Sequence, residues 1–207
     1  LDFLPDDYLP RTNFTPACDP ADYWNRTPNV PWNNNKRVTD YYRFVNRRAL
    51  SQSGERTLVC ALLPPSVTHI DGVHSITFQS ADVLLRFAPL CMSIPLDFWI
   101  KTTGKADCRA DLARYLPVLD SSAPYLNNLC SRALVLNCLT MHFANLWAEC
   151  WKNEFTVEKW LCDDPRLDPN FWINLTPAWQ RNCALRTDFS RRWALVEIDV
   201  LAARELG

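Results

Sequence analysis

Residues 57–63, TLVCALL, are a near-continuous apolar run that the double proline Pro64-Pro65 stops abruptly. Proline cannot donate to a β-ladder, so a strand built on this run must end there. Gly54, just upstream, permits the tight turn that starts it. A short apolar run with β-branched character, bounded in this way, predicts a buried strand. Residues 73–78, VHSITF, alternate in polarity and predict a second strand. Ahead of the turn, RVTDYYRFVNRR also reads as a strand, with Tyr41, Arg43 and Val45 on one face and Tyr42, Phe44 and Asn46 on the other. The stretch from Arg37 to Phe78 therefore predicts a β-rich lobe.

Helical signals dominate the rest. Residues 80–101 predict a helix capped by Ser80 or Asp82 and then kinked or split by Pro89 and Pro95. Asp111–Tyr115 reads as a short helix, with LPVL at 116–119 as its exit. Leu126, Leu129, Leu136, Leu139, Phe143, Leu146 and Cys150 recur at helical spacing and predict one long amphipathic helix. Val157, Trp160 and Leu161 suggest a shorter one, followed by the loop DDPRLDPNFW. Thr187-Asp188 caps a last helix whose packed face would be Phe189, Trp193, Val196 and Val200. Residues 1–36 are rich in proline and asparagine and predict an extended, wrapped connector pinned by Phe3, Tyr8, Phe14, Tyr23, Trp24 and Trp32. The expected fold class is α+β: a connector over 1–36, an α+β lobe over 37–122 and a helical subdomain over 123–207.

Bulk properties exclude several classes. The 207 residues, 48% hydrophobic, suffice for a sizeable core. No apolar run approaches the ~20 residues that cross a bilayer, and no basic-then-apolar leader is present, so the expectation is a cytoplasmic protein with no membrane partner. The nine cysteines are odd in number and sit mostly beside apolar residues, which predicts reduced core thiols rather than a disulfide framework. Sequons at Asn13, Asn25 and Asn174 occur at about the frequency chance gives. The chain begins at Leu1 without methionine and stops at Gly207 after a strong helical pattern, and so reads as a piece of a longer polypeptide.

Catalytic signatures are incomplete. With glycines only at 54, 72, 104 and 207, no cofactor-binding glycine loop can form, and KTTGKAD lacks the spacing of a phosphate-binding loop. Asp168-Pro169-Asn170-Phe171 is the nearest string to the Asp/Asn-Pro-Pro-Tyr/Phe tetrapeptide that grips a flipped adenine, but it lacks the second proline and a preceding strand. Glu197-Ile198-Asp199 lies in a helical pattern without the lysine a nuclease core needs. Cys138 and His142 are one helical turn apart, yet no second pair completes a zinc site. His69 near Asp71 has no nucleophile to serve. A non-catalytic chain with no cofactor of its own is expected.

Binding signals are stronger. Between residues 36 and 56, Lys36, Arg37, Arg43, Arg47, Arg48 and Arg56 oppose only Asp40 and Glu55, although the whole chain balances 22 basic against 23 acidic residues. Two readings fit: a half-buried edge strand with solvated arginines, or phosphate contact with one or two arginines reaching base edges. Ser51, Ser53, Lys101 and Lys105 are weaker candidates for the same surface, and Glu55 and Thr57 are expected to hold the turn. Arg191 and Arg192, near a helix N-terminus where cations are disfavoured, imply partners elsewhere.

The strings RVTDYYRFVNRR, ERTLVCALLPP, HIDGVHSITF, IPLDFWIKTTGKADCRADLARYLPVL and LRTDFSRRWALVEIDVLAARELG together resemble the C-terminal target-recognition region of adenine-specific DNA methyltransferases. These are of the kind found in type IIG restriction enzymes and related phage-defence systems. The resemblance implies a β-rich lobe over duplex DNA, similar to half of a type I specificity subunit. It implies DNA contact by Lys36, Arg37, Arg43, Arg47, Arg48, Ser51, Ser53, Arg56, Lys101 and Lys105. The implied partners are double-stranded DNA and a methyltransferase domain of the same polypeptide, which would hold S-adenosylmethionine. The competing expectation is a helical interaction module of a defence complex, anchored by the tryptophan-rich second half.

Overall fold

In the computed structural model, which describes residues 1, 3–9 and 12–207, the chain is mixed α+β, as expected. The N-terminal segment is more structured than a plain connector. A short helix, α1 (Pro20–Arg26), is capped by Asp19, whose carboxylate accepts from Ala21 N at 2.9 Å, and Pro20 stands in its first turn where no amide is needed. A small hairpin follows, β1 (Asn29–Val30) with β2 (Asn33–Arg37). Nor do aromatics pin the first residues: Phe3 is 99% exposed, and Phe14 and Trp24 also face solvent. Polar bonds hold them instead, with Met141 N donating to Asp6 O at 2.7 Å, His142 Nε2 meeting Asp7 O at 2.9 Å, and Arg181 paired with Asp6.

Three antiparallel strands, β3 (Arg43–Arg47), β4 (Cys60–Leu63) and β5 (Val73–Thr77), form a sheet in the order β4-β3-β5. Phe44 lies opposite Leu62 and Ile76 and meets Phe87 edge-to-face at 4.9 Å, which turns this face of the sheet to the helices. Arg43 to Asn46 are all buried, so β3 is the central strand and not the half-buried edge that its charges suggested. The TLVCALL run, in contrast, contributes an edge strand of only its last four residues. Upstream, Leu58 N is taken by the Asp97 carboxylate at 2.6 Å, outside any ladder. After Pro64-Pro65 the chain reverses through Ser66, at φ 64°, whose amide donates to Thr39 O.

Helix α2 (Ala81–Cys91) is capped by Ser80, and α3 (Ile94–Thr102) is capped by Ser93 with Pro95 in its first turn; the two meet at a 72° bend. Thus Pro95 sets the break, while Pro89 sits inside α2. Pro89 cannot donate to Leu85 O, and Cys130 Sγ approaches that carbonyl at 3.6 Å instead. Helix α4 (Ala110–Ala113) is a single turn. The long helix expected from residue 126 is two: α5 (Leu126–Asn137) and α6 (Ala144–Cys150). Tertiary donors end α5, since Arg191 Nη1, Trp179 Nε1 and Arg186 Nη2 bond Leu136 O, Cys138 O and Leu139 O at 3.0, 2.8 and 2.7 Å. No α-helix forms at 157–161; a 3₁₀ turn, Asn153–Val157, ends where that helix was expected to begin.

The last helix, α7 (Asp188–Leu206), is capped by Thr187 as expected, but its packed face is different. Ser190, Ala194, Glu197, Ile198, Leu201 and Ala202 are buried, while Val196 and Val200 are exposed. Small residues at 190, 194 and 202 suit close approach to α5 and α2, which leaves the bulkier stripe outside. One apolar cluster runs from Phe44 to Ala202, so the boundary expected near residue 122 crosses a shared core. All nine cysteines are free; burial pushes the thiols of Cys60, Cys130 and Cys150 up to about 12. No single helix among the described residues is long and apolar enough to cross a membrane.

The centre of the helical half is ionic. Arg132 on α5 is wholly buried and donates through Nε to Glu197 of α7 at 2.6 Å and through Nη1 to Glu158 at 2.7 Å. Its Nη2 reaches Lys159 O at 2.8 Å, and its plane lies over Trp172 at 4.8 Å. Glu197 also accepts from Leu161 N and Trp193 Nε1. Removing the cation alone leaves two buried carboxylates facing each other. Arg132→Met is therefore expected to cost about 3–5 kcal/mol, read as a fall in melting temperature of roughly 6–20 °C. An unchanged melting temperature would contradict this role.

Candidate nucleic-acid interface

The ten sequence-predicted contact residues separate into three settings. Four consecutive residues of the ERTL string each bind a different partner. Glu55 pairs with Arg192 at 3.1 Å, and Arg56 Nη2 grips both oxygens of Asp199 at 3.1 and 2.9 Å. Thr57 Oγ1 donates to Ser51 O at 3.2 Å, and Leu58 N binds Asp97. Asp199 also receives Ile94 N at 2.7 Å, so this turn is riveted to α3 and α7. Thr57 holds the turn as expected, whereas Glu55 reaches out of it to an exposed pair with α7; Arg56 is structural too, because its fork is already filled by a carboxylate. Arg192 finds the acidic partner its placement implied, whereas Arg191 is bound by carbonyls.

Arg43 is a second correction. It is only 2% exposed, on the sheet face turned away from the helices, with Nη2 donating to Val67 O. A phosphate backbone cannot reach it. At the same end of the sheet, Arg37 Nη1 donates to Trp24 O with the guanidinium 4.9 Å from the Trp24 ring centroid, and Arg37 N binds Asp40 at 2.9 Å. Arg37 is thus a tie to the N-terminal segment. Its neighbour Lys36 is exposed and stands on β2, outside the strand and loop that carry Arg47.

The third setting gathers the remainder. β3 ends by delivering Arg47 and Arg48 into the loop that carries Ser51 and Ser53, whose hydroxyls lie 3.5 Å apart. This loop is zipped to the segment after α3: Ala49 bridges Asp107, Leu50 N donates to Ala106 O, and Cys108 N donates to Arg48 O, both at 2.8 Å. Lys101 sits in the last turn of α3, and Gly104, at φ +66°, ends that helix and turns the chain to Lys105. Arg109, which sequence reasoning passed over, joins the group, although it lies in the same KTTGKADCR string as the two lysines.

Of these cations, Arg48, Lys105 and Arg109 meet the acids Asp71, Asp107 and Asp111. The bonds differ in kind. Arg48 is tied to Asp71 and, at 3.7 Å, to Asp107, with a side chain 25% exposed, so it is chiefly structural. The exposed Arg47 spends only Nε, on Ala49 O at 2.9 Å, and Lys101 has no ion pair among the described residues. The Lys105–Asp111 pair is exposed, and Arg109 reaches its acids only at 3.6 and 3.8 Å. Exposed pairs of this type contribute only ~0–1 kcal/mol, so an incoming phosphate can compete for these cations.

The other candidates resolve into structural contacts. His69 Nδ1 meets Ile70 O at 3.0 Å, and among the described residues Asp71 pairs with arginines, Arg48 and Arg109. Asp168 forms a tight turn, accepting from Asn170 N through its carboxylate and from Trp160 Nε1 through its carbonyl. His142 holds Asp7 O, and Cys138 is buried with its carbonyl taken by Trp179 Nε1. Among the described residues, no three His, Cys, Asp or Glu side chains gather as for a metal ion.

Assigning Arg56 to the fold has a direct consequence. Arg56→Ala is expected to lower stability by about 1–3 kcal/mol while leaving the salt dependence of any DNA binding unchanged. A variant with native stability that had lost DNA binding would return Arg56 to the contact surface. Compared with known proteins, the chain matches no family, no curated protein and no solved structure.

Proposed function

We propose that this chain is the target-recognition part of an adenine DNA methyltransferase of a restriction-modification or phage-defence system, non-catalytic by itself. In this reading it positions duplex DNA for a methyltransferase domain of the same polypeptide, which holds S-adenosylmethionine, in the cytoplasm. The observation that carries it is the zipping of the loop after Arg47 to the segment after α3. This brings Arg47 together with Lys105 and Arg109, downstream of Lys101 at the end of α3, cations that are exposed and loosely held. Arg47 offers the free fork that suits phosphate or a guanine edge, and the lysines offer point charges to the backbone. Since the chain as a whole is nearly neutral, binding by this part alone should be weak and steeply salt-dependent.

A second reading has its own support. Ile94 and Phe98 on α3 and Val196 and Val200 on α7 form an exposed apolar stripe across two touching helices, with Phe98 65% exposed. This is the kind of surface an interaction module of a defence complex presents.

Fluorescence anisotropy with a labelled duplex at about 50 and 200 mM salt separates the two. The proposal expects binding at the lower salt. It also expects Arg47→Ala/Lys101→Ala/Lys105→Ala to weaken binding and to flatten the log–log salt slope by about 2–3, near one per lost phosphate contact. No binding at low salt, or a variant that binds like the parent, would contradict it and favour the apolar stripe.

A further inference from the structure

Arg43 and Arg132 are both buried arginines, and they are treated oppositely. Arg132 has two glutamates. Arg43 has no carboxylate within ion-pair distance among the described residues; Nη2 meets a carbonyl, and Nε has no partner. An uncompensated buried cation costs several kcal/mol unless something supplies the missing charge. The neighbouring Thr39 hydroxyl is also buried and unpartnered.

Both residues line one cavity of about 530 Å³, between the outer face of the sheet and the α1 segment. That volume falls within the ~300–1,000 Å³ range of small-molecule sites. The cavity also carries Arg26, Thr68, His69 and Ser75, and among the described residues no aspartate or glutamate lines it. Concave walls bearing cations and hydroxyls without a balancing acid concentrate positive potential. The setting also opposes the charge it contains, since burial pulls the Arg43 guanidinium below its ordinary pKa.

We propose that this cavity binds the oxyanion group, phosphate or carboxylate, of a small organic molecule, with Arg43 as its counter-ion and Thr39, Thr68, His69 and Ser75 as hydrogen-bonding groups. Arg26, exposed at the rim, adds a second cation. The site lies on the sheet face and does not depend on DNA contact at the loops, so either can fail without the other.

Calorimetric titration of the chain with inorganic phosphate, phenyl phosphate and benzoate, with benzyl alcohol as the neutral control, tests it. At least one anion is expected to bind and the alcohol is not. Binding by the phosphates alone or by benzoate alone assigns the oxyanion. Arg43→Met is expected to abolish binding, and Arg26→Ala and His69→Ala to weaken it about 3–10-fold each. Should Arg43→Met fail to fold, the two surface variants decide. No anion binding at 10 mM, a threshold of the order set by millimolar affinity, or binding that all folded variants retain, would overturn the proposal.

Discussion

A buried ion pair between α5 and α7 governs how the helical half can fold. Arg132 satisfies Glu197 and Glu158 and stacks on Trp172, so one side chain joins two helices to the irregular chain between α6 and α7. That irregular chain has no ladder or long helix to bury its own backbone groups. The network reaches into it through Lys159 O and Leu161 N, and tryptophans fill the space around it. Coulombic attraction in such a place is offset by desolvation, so the network contributes geometry more than net stability. It fixes which face of α7 turns inward.

The same economy recurs wherever helices end. The carbonyls at and just past the end of α5 are met by Arg191, Trp179 and Arg186, and Asn137, the final residue of α5, takes Leu62 N from the sheet at 3.0 Å. Arg56 and Asp199 tie the turn before β4 to the bend between α2 and α3. Arginine suits these tasks because its planar fork stays charged and bonds several acceptors at once. Most of the positive charge in residues 36–56 is consequently spent inside the protein, which leaves Lys36 and Arg47 as the exposed cations of that stretch.

Much of this was legible in the residues. The turn at Gly54, the stop at Pro64-Pro65, β5, the caps at Ser80 and Thr187 and the division at Pro95 all follow from local rules that the tertiary structure did not override. The failures share a cause. Periodicity alone joined α5 to α6, because the donors that end α5 come from residues some forty to fifty-five positions away. Apolar spacing chose the wrong face of α7, since the buried face is built of small residues and a paired glutamate that no hydrophobicity pattern marks. Arg43, Arg48 and Arg56 look like surface cations in sequence, and only the fold reveals the carbonyl and the carboxylates they meet.

If the chain reads DNA, it does so where charge is exposed and loosely paired rather than where the sequence is most basic. Lysine acetylation footprinting with and without duplex DNA at low salt tests this most directly, because Lys36 stands on β2, while Lys101 ends α3 and Lys105 lies in the loop after it. The account predicts that duplex protects Lys101 and Lys105 and leaves Lys36 as reactive as in the free protein. Protection of Lys36 alone, or of none of the three while the duplex is bound, would contradict it.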